Sequence, residues 1–294
     1  MTESAITGVL RLIVAGNTLE ALSRLFRLPD DNPLEALNRV LYSHTRESTN
    51  PTVLRQIEHH QSQLATATGR ARAIILYNLG CLALYQDEIV QAKLYFEQAL
   101  ELLPDWLPIR HNLAFTEELM AEGDQAGRHY AEVISQNPDF TLSRLNLALL
   151  AIQDGRTDEG LAALRQLSEA SLDDASLTLY LSRALLHHGA PADGEEVLGL
   201  LENVKDWQRY PDLRECHAFA CYLLGRNDEA ESAFRALLED DSYNIFARLG
   251  VIKVLCARSE WQELATHAKR LDEVNSTDQT RQLLQQLREA GELD

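Results

Sequence analysis

The chain has 294 residues, of which 45% are apolar and 24% charged, and its 27 basic and 45 acidic side chains give a formal net charge of −18. That apolar share is enough to build a core, which excludes wholesale disorder. The negative charge disfavours nucleic acid and anionic membranes as partners, because their phosphates would be repelled at long range. The composition therefore predicts an acidic, helix-rich protein.

The N-terminus and the cysteines carry no sign of export. Residues 1–22 lack a basic segment, and Arg11 interrupts their short apolar stretch, so they predict neither a signal peptide nor a membrane span. The four cysteines form no CxxC pair and lie in apolar stretches, which is typical of reduced thiols. We therefore expect a cytoplasmic protein that is not inserted in a membrane.

Residues 1–72 predict a divergent helical region. A helix–turn–helix repeat aligned at Thr2 has Gly16 at its turn and Pro33 where its second helix would end, which indicates one degenerate repeat. Residues 36–72 do not fit that pattern. They still predict helices, because Asn50 and Pro51 combine an N-cap residue with a proline at the first helical position. We expect a helical insertion or a divergent hairpin there.

The stretch over residues 73–277 repeats itself. Segments that begin at Leu76, Arg110 and Arg144 align with starts 34 residues apart, and the register extends to six repeats. The fourth and fifth repeats are 36 residues apart, which predicts two extra loop residues near Trp207–Tyr210. The repeats begin at Ala73, Leu107, Thr141, Ala175, Pro211 and Ile245.

Small residues recur at positions 8 and 20 of the repeat, where two crossing helices must approach closely; the last repeat departs at both. Glycine recurs at position 15, where the chain must turn, and proline at position 32 ends the second helix of two repeats. The turn glycines are Gly155, Gly189 and Gly225, and the prolines are Pro104 and Pro138.

A 34-residue period with these preferences resembles the tetratricopeptide repeat, a helix–turn–helix unit. The resemblance implies an all-α, right-handed solenoid of helical hairpins. Residues 278–294 then predict a single C-terminal capping helix, as repeat arrays require. Its apolar residues Leu283, Leu284 and Leu287 would pack on the last repeat, and its polar residues Gln282, Gln285, Gln286 and Arg288 would face water.

No motif predicts catalysis, a metal site or a cofactor. His59–His60 and His187–His188 are adjacent pairs whose side chains point about 100° apart on a helix, so neither would chelate one ion easily. Cys216 and Cys221 flank His217, but their apolar surroundings predict small core residues rather than a nucleophile. The sequence also lacks GxGxxG, Walker and GxSxG motifs. We predict a protein that is not an enzyme.

The family resemblance places binding on the concave face, which the first helix of each repeat lines through positions 2, 5, 6, 9, 12 and 13. At positions 5, 9 and 12, thirteen of the eighteen residues are apolar or aromatic. An apolar wall of that size, if open to water, would bind a partner. Alternatively, tight curvature or residues 36–72 would bury much of it.

Position 6 is asparagine in three successive repeats, as Asn78, Asn112 and Asn146. Stacked amides could grip a peptide backbone, as asparagines do in peptide-binding members of the family, although asparagine is also common at this position in repeats generally. The carboxylate clamp of relatives that bind chaperone tails is missing, because its positions hold no basic residue in the second and third repeats. The predicted peptide-binding residues are Tyr77, Asn78, Cys81, His111, Asn112, Phe115, Leu145, Asn146 and Leu149.

Arginine recurs at position 4, where the family usually carries a large apolar residue. Two explanations fit equally well: aliphatic stems that pack under solvated heads, or ion pairs between repeats. The residues concerned are Arg110, Arg144, Arg214 and Arg248.

These features predict a cytosolic interaction module, meaning an adaptor, scaffold or chaperone that holds an apolar peptide or helix of another protein in its concave groove. One alternative is a regulator switched by a short peptide, and another is a homo-oligomeric scaffold that uses the groove on itself. A hydrolase hidden in the N-terminal region has little support in the sequence.

Overall fold

A computed structural model describes residues 51–274 and 278–289 of the chain, and they contain 14 α-helices, one short 3-10 helix and no strand. The repeat predicted from Thr2 and the cap predicted at Asn50 lie outside these residues. The chain divides into two compact units, residues 1–150 and residues 151–294.

The N-terminal unit is a succession of antiparallel helices. Their bounds are α1 (Pro51–Leu64), α2 (Gly69–Tyr85), α3 (Ile89–Leu102), α4 (Leu107–Leu119), α5 (Gly123–Gln136) and the first ten residues of α6 (Thr141–Gln153). Its largest core cluster joins α2, α3 and α4 around Phe96, and partly buried Ile57 and Leu64 of α1 pack against it. The helix that begins at Pro51 therefore covers the first predicted repeat.

The C-terminal unit continues the pattern. Its helices are α7 (Thr157–Glu169), α8 (Ala175–His188), α9 (Pro191–Asn203), the 3-10 helix (Trp207–Arg209), α10 (Pro211–Leu223), α11 (Asn227–Asp240), α12 (Ile245–Arg258), α13 (Trp261–Val274) and α14 (Asp278–Glu289). The 3-10 helix occupies the place where two extra loop residues are predicted. In α14, Leu284 and Leu287 are buried in the core formed with α12 and α13, as predicted.

The helix starts follow the predicted register. Each first helix from α4 to α12 begins at the residue predicted to start a repeat, whereas α2 begins at Gly69, four residues before Ala73. Every second helix, from α3 to α13, begins 16 residues after the start of its repeat. The 34-residue repeat of the sequence therefore corresponds to a regular repeat of helix pairs in the structure.

Position 15 adopts the left-handed conformation in all six turns. Three turns use the predicted glycines, and the others place Asp87, Ala121 and Ser259 at φ of 64°, 60° and 60°. A residue with a Cβ is strained in this conformation, by about 1–2 kcal/mol.

Ala121→Gly should therefore raise the free energy of unfolding by about 1 kcal/mol, because it relieves this strain at a helix end. Gly155→Ala should lower it by a similar amount, since Gly155 has φ of 82° and an added Cβ would meet no atom within 4 Å. Urea denaturation measures both changes, and shifts of the same sign would contradict the explanation.

The small residues at the helix crossings act as predicted. A Cβ on Gly80, at position 8, would lie 2.5 Å from Cε1 of Phe96, and one on Gly194, at position 20, would lie 2.8 Å from Cγ of Leu224. Atoms do not approach this closely, so the helices pack at a distance that only glycine permits.

Two of the four arginines at position 4, Arg110 and Arg214, form ion pairs within their own repeats. Nη1 of Arg110 lies 2.7 Å from Glu132 Oε2, and Arg110 also donates to the carbonyl of Pro104 at 3.0 Å. Arg214 lies 2.5 Å from Asp240 in the same way. Arg110 and Arg214 therefore do not form ion pairs between repeats.

Candidate partner-binding face

Most of the predicted peptide-binding residues are buried. Six of the nine have at most 8% of their surface exposed, and the ring of Tyr77 packs 5.0 Å from that of Trp106 and 5.9 Å from that of Phe96. The residues that keep more exposed surface are Phe115, Asn146 and Leu149, and the six buried ones are Tyr77, Asn78, Cys81, His111, Asn112 and Leu145. In the N-terminal unit, the predicted face is therefore largely core.

Helix α2 explains part of this burial. Every residue from Ile75 to Tyr85 is buried, so the helix has no open side over three turns. Among the described residues, α1, α3 and α4 all pack on it. Residues of α1 thus contribute to the burial of α2, but the ring contacts of Tyr77 are with Phe96 and Trp106.

The three asparagines of position 6 have different environments. The amide of Asn112 lies 3.5 Å from the Sγ atom of Cys81, in the preceding repeat. Asn146 donates to the hydroxyl of Tyr130 at 2.9 Å, and Tyr130 donates to Glu118 at 3.0 Å.

The side-chain oxygen of Asn78 is buried and accepts no hydrogen bond from the described residues. Two of the three amides are thus engaged within the chain. Their role in gripping a peptide stays a prediction.

His111 is buried, and no carboxylate among the described residues forms an ion pair with it. Its Nδ1 lies 2.9 Å from the hydroxyl of Ser143, and its ring packs against Tyr130 and Phe140 at 5.6 and 5.4 Å. Burial lowers the pKa of His111 from 6.5 to about 3, because the charged imidazolium would lose its hydration.

This depressed pKa makes stability depend on pH. Below pH 6.5 the unfolded chain binds a proton that folded His111 refuses, so the free energy of unfolding should fall by up to about 1.4 kcal/mol per pH unit as the pH drops from 6.5 towards 3. His111→Gln should remove that component, whereas His187→Gln, at an exposed position, should not. Urea midpoints at pH 7 and pH 5 measure the difference, and equal slopes for the wild type and His111→Gln would contradict it.

The corresponding face of the C-terminal unit is more exposed, although Glu215, Cys216 and Gly250 at positions 5 and 6 are buried. Helices α8, α10 and α12 present exposed and half-buried aromatic, aliphatic and basic side chains at positions 5, 6, 9 and 12. We call this surface the C-terminal face, and it consists of Leu179, Tyr180, Arg183, Phe219, Tyr222, Leu249, Lys253 and Cys256. Tyr180 is 40% exposed, and Phe246, at the start of α12, is 58% exposed.

Side-chain contacts join the three helices of the C-terminal face. Arg183 of α8 lies 2.7 Å from Asp212 Oδ1 on α10. The ammonium of Lys253 on α12 lies 5.7 Å from the ring centroid of Phe219 and 5.9 Å from that of Tyr222, both on α10. The face is therefore one continuous surface rather than three separate ones.

The register identified these positions, but not which of them are exposed. The asparagines at position 6 lie in the first three repeats, whereas the exposed charged residues at position 9, Arg183 and Lys253, lie in the fourth and sixth. A charge without a partner favours an exposed position, because burying an unpaired charge is costly. Glu215, on the groove side of α10, is buried but accepts a hydrogen bond from Asn244 at 2.7 Å. The charges at position 9 were a signal present in the sequence.

The Cys–His cluster of α10 is structural. Cys216 is 2% exposed, and burial raises its pKa to about 12. Burial also raises the pKa of Cys221 and lowers that of His217, whose ring stacks on Trp207 at 5.0 Å. Both shifts favour the neutral thiol and the neutral imidazole, which are the opposite of what a thiolate nucleophile needs.

The described residues contain no cluster of three or more His, Cys, Asp or Glu side chains arranged to hold a metal ion. None of their helices combines the length and hydrophobicity that crossing a membrane requires.

A family model described as "Tetratricopeptide repeat" matches residues 73–105, which correspond to the first predicted repeat. The predicted resemblance is therefore confirmed. No curated protein sequence is significantly similar to the chain.

Solved structures of the same fold exist at low sequence identity. A tetratricopeptide repeat protein from Parabacteroides merdae ATCC 43184 is 17% identical, with a TM-score of 0.58 and 97% coverage of both chains. A chain of the APC/C hetero-tetramer Cut9-Hcn1 is 16% identical, with a TM-score of 0.67, over 92% of this chain and 52% of that one. Pseudomonas aeruginosa pilF is 18% identical, with a TM-score of 0.59, over 74% of this chain and 99% of that one.

At these identities the likeness establishes the fold alone. The described residues form helical hairpins similar to those of tetratricopeptide-repeat solenoids, and one repeat, residues 73–105, matches the model of that family.

Proposed function

We propose that the chain is a non-catalytic, cytoplasmic interaction module, an adaptor, scaffold or chaperone, that holds an apolar peptide or helix of a partner protein. The observation that carries the proposal is the C-terminal face, where Tyr180, Phe219, Tyr222 and Leu249 are accessible on three successive first helices. A contiguous accessible surface rich in aromatic side chains is typical of binding sites.

The N-terminal unit supports a smaller contribution. Phe115, Asn146 and Leu149 retain accessible surface, so they are the members of the predicted peptide-binding set that a partner could reach without rearrangement. The structural neighbour in the Cut9-Hcn1 hetero-tetramer is part of an assembly with another protein, which is consistent with an interaction role for this fold.

Affinity purification with mass spectrometry tests the proposal. The tagged chain should retain a specific partner, and Tyr180→Asp should release it, because the substitution puts a charge on an exposed ring position of the C-terminal face. Val90→Asp is the matched control, since Val90 is 64% exposed on α3, a second helix. Equal retention by both variants would contradict the assignment of the face.

Light scattering of the purified chain at several concentrations distinguishes the proposed function from the main alternative, a homo-oligomeric scaffold. A homo-oligomeric scaffold predicts a mass that rises with concentration and a dissociating effect of Tyr180→Asp. A module for other proteins predicts a constant mass, and a peptide-switched regulator predicts one that changes only when peptide is added.

A further inference from the structure

Lys253 is a cation on the C-terminal face without a counter-charge. Its side chain is exposed, its ammonium lies over the rings of Phe219 and Tyr222, and no carboxylate of the described residues lies within 4.0 Å of it. Arg183 differs, since it lies 2.7 Å from Asp212 and 3.9 Å from Glu215. The chain has a net charge of −18. On the C-terminal face, Lys253 is the basic residue that forms no ion pair with a carboxylate of the described residues.

We propose that the C-terminal face binds a partner segment in which a single aspartate or glutamate side chain lies among apolar residues, with its carboxylate on Lys253. The inference rests on the proposed function and specifies the chemistry of its ligand. The rings of Phe219 and Tyr222 would take the apolar neighbours of the carboxylate, and a ligand that covers them also removes water from around the ammonium, which strengthens the ion pair.

The charges of the face limit the segment to one carboxylate. Arg183 already lies beside two acids, Asp212 and Glu215, so a second carboxylate of the segment would meet their negative charges there. A strongly acidic segment would also be repelled by the net charge of the chain. Packed helices lie about 8–10 Å apart, so an extended segment of about six residues, at about 3.3 Å each, would cross from α8 to α12.

Fluorescence polarisation with synthetic peptides tests the inference. The probes are labelled peptides, amidated at the C-terminus, in which leucine, phenylalanine and tyrosine flank one central glutamate, glutamine or lysine. The wild-type chain should bind the glutamate peptides roughly three- to fivefold more tightly than their glutamine counterparts, and the lysine peptides most weakly. The preference should shrink as salt is added.

Variants of the chain assign the preference to one residue. Lys253→Met should bind glutamate and glutamine peptides equally, and Lys253→Glu should prefer the lysine peptides. Lys269→Glu is the control, because it changes the net charge identically at an exposed position on α13, a second helix. Circular dichroism checks that each variant folds.

The possible failures are distinguishable. One outcome is that the apolar peptides bind and Tyr180→Asp weakens their binding, but the identity of the central residue has no effect or Lys253→Glu keeps the preference for glutamate. In that case the inference is wrong and the proposed function stands. If none of the peptides binds the wild-type chain, the inference fails together with the assignment of an apolar segment to this face. The same peptides with a free C-terminal carboxylate provide a further comparison. If only these peptides bind, the ligand is the end of a chain and not a glutamate side chain, and the inference is wrong.

Discussion

Gly250→Ala should destabilise the C-terminal unit by about 2–3 kcal/mol. A Cβ at Gly250 would lie 2.3–2.5 Å from three ring atoms of Phe234. The ring has no room to move, since Phe234 is fully buried and packs edge-on against Phe219 at 4.8 Å. Thermal and urea denaturation measure the loss.

Gly199→Ala is the matched control for this substitution. It lies within α9 of the same unit, and an added Cβ would meet no atom within 4 Å. Alanine should therefore stabilise the helix by up to about 1 kcal/mol through its higher helix propensity. A similar loss from both substitutions would show that the contact with Phe234 is not the cause.

Phe115→Asp should lower the free energy of unfolding by roughly 2–4 kcal/mol, because it removes a half-buried ring and places a charge in its site. The ring packs against two core clusters of the N-terminal unit, one around Phe96 and one around Tyr130. Tyr180→Asp should change stability little, since Tyr180 is 40% exposed. Thermal melting of both variants makes the comparison.

The stability changes caused by these two substitutions distinguish a core position from a position on an exposed face. From sequence alone, Phe115 at position 9 and Tyr180 at position 6 both lie on the groove side of first helices, and a residue there is expected to tolerate a charge if the groove is open. An unchanged melting temperature for Phe115→Asp would show that the face of the N-terminal unit is open after all.

The architecture was predictable because each repeat carries its own local signals. Prolines, turn glycines and small crossing residues fix the helix ends and the helix contacts within about 34 residues, so the register needs no long-range information. The left-handed turns at Asp87, Ala121 and Ser259 escaped prediction, because the fold imposes that conformation on residues that do not favour it by themselves.

Exposure was harder to predict than helix position. An apolar residue at a groove position fits equally well in a binding surface and in a core, and only the packing of other elements decides between them. At α2 the packing of α1, α3 and α4 buries Tyr77 and Cys81. At α12 the charge of Lys253 excludes burial without a partner, so here the sequence itself indicates an open face.

Photo-crosslinking from Cys256 tests most directly whether the C-terminal face binds a partner. Cys256 is an exposed thiol on this face, whereas Cys81, Cys216 and Cys221 are buried, so a benzophenone maleimide should label it selectively. We expect an ultraviolet-dependent adduct with another polypeptide in an extract of the cells that make the protein. We expect none when the label is moved to an exposed position on a second helix, in the double variant Cys256→Ser with Val90→Cys. No adduct from Cys256, or equal adducts from both positions, would contradict binding at this face.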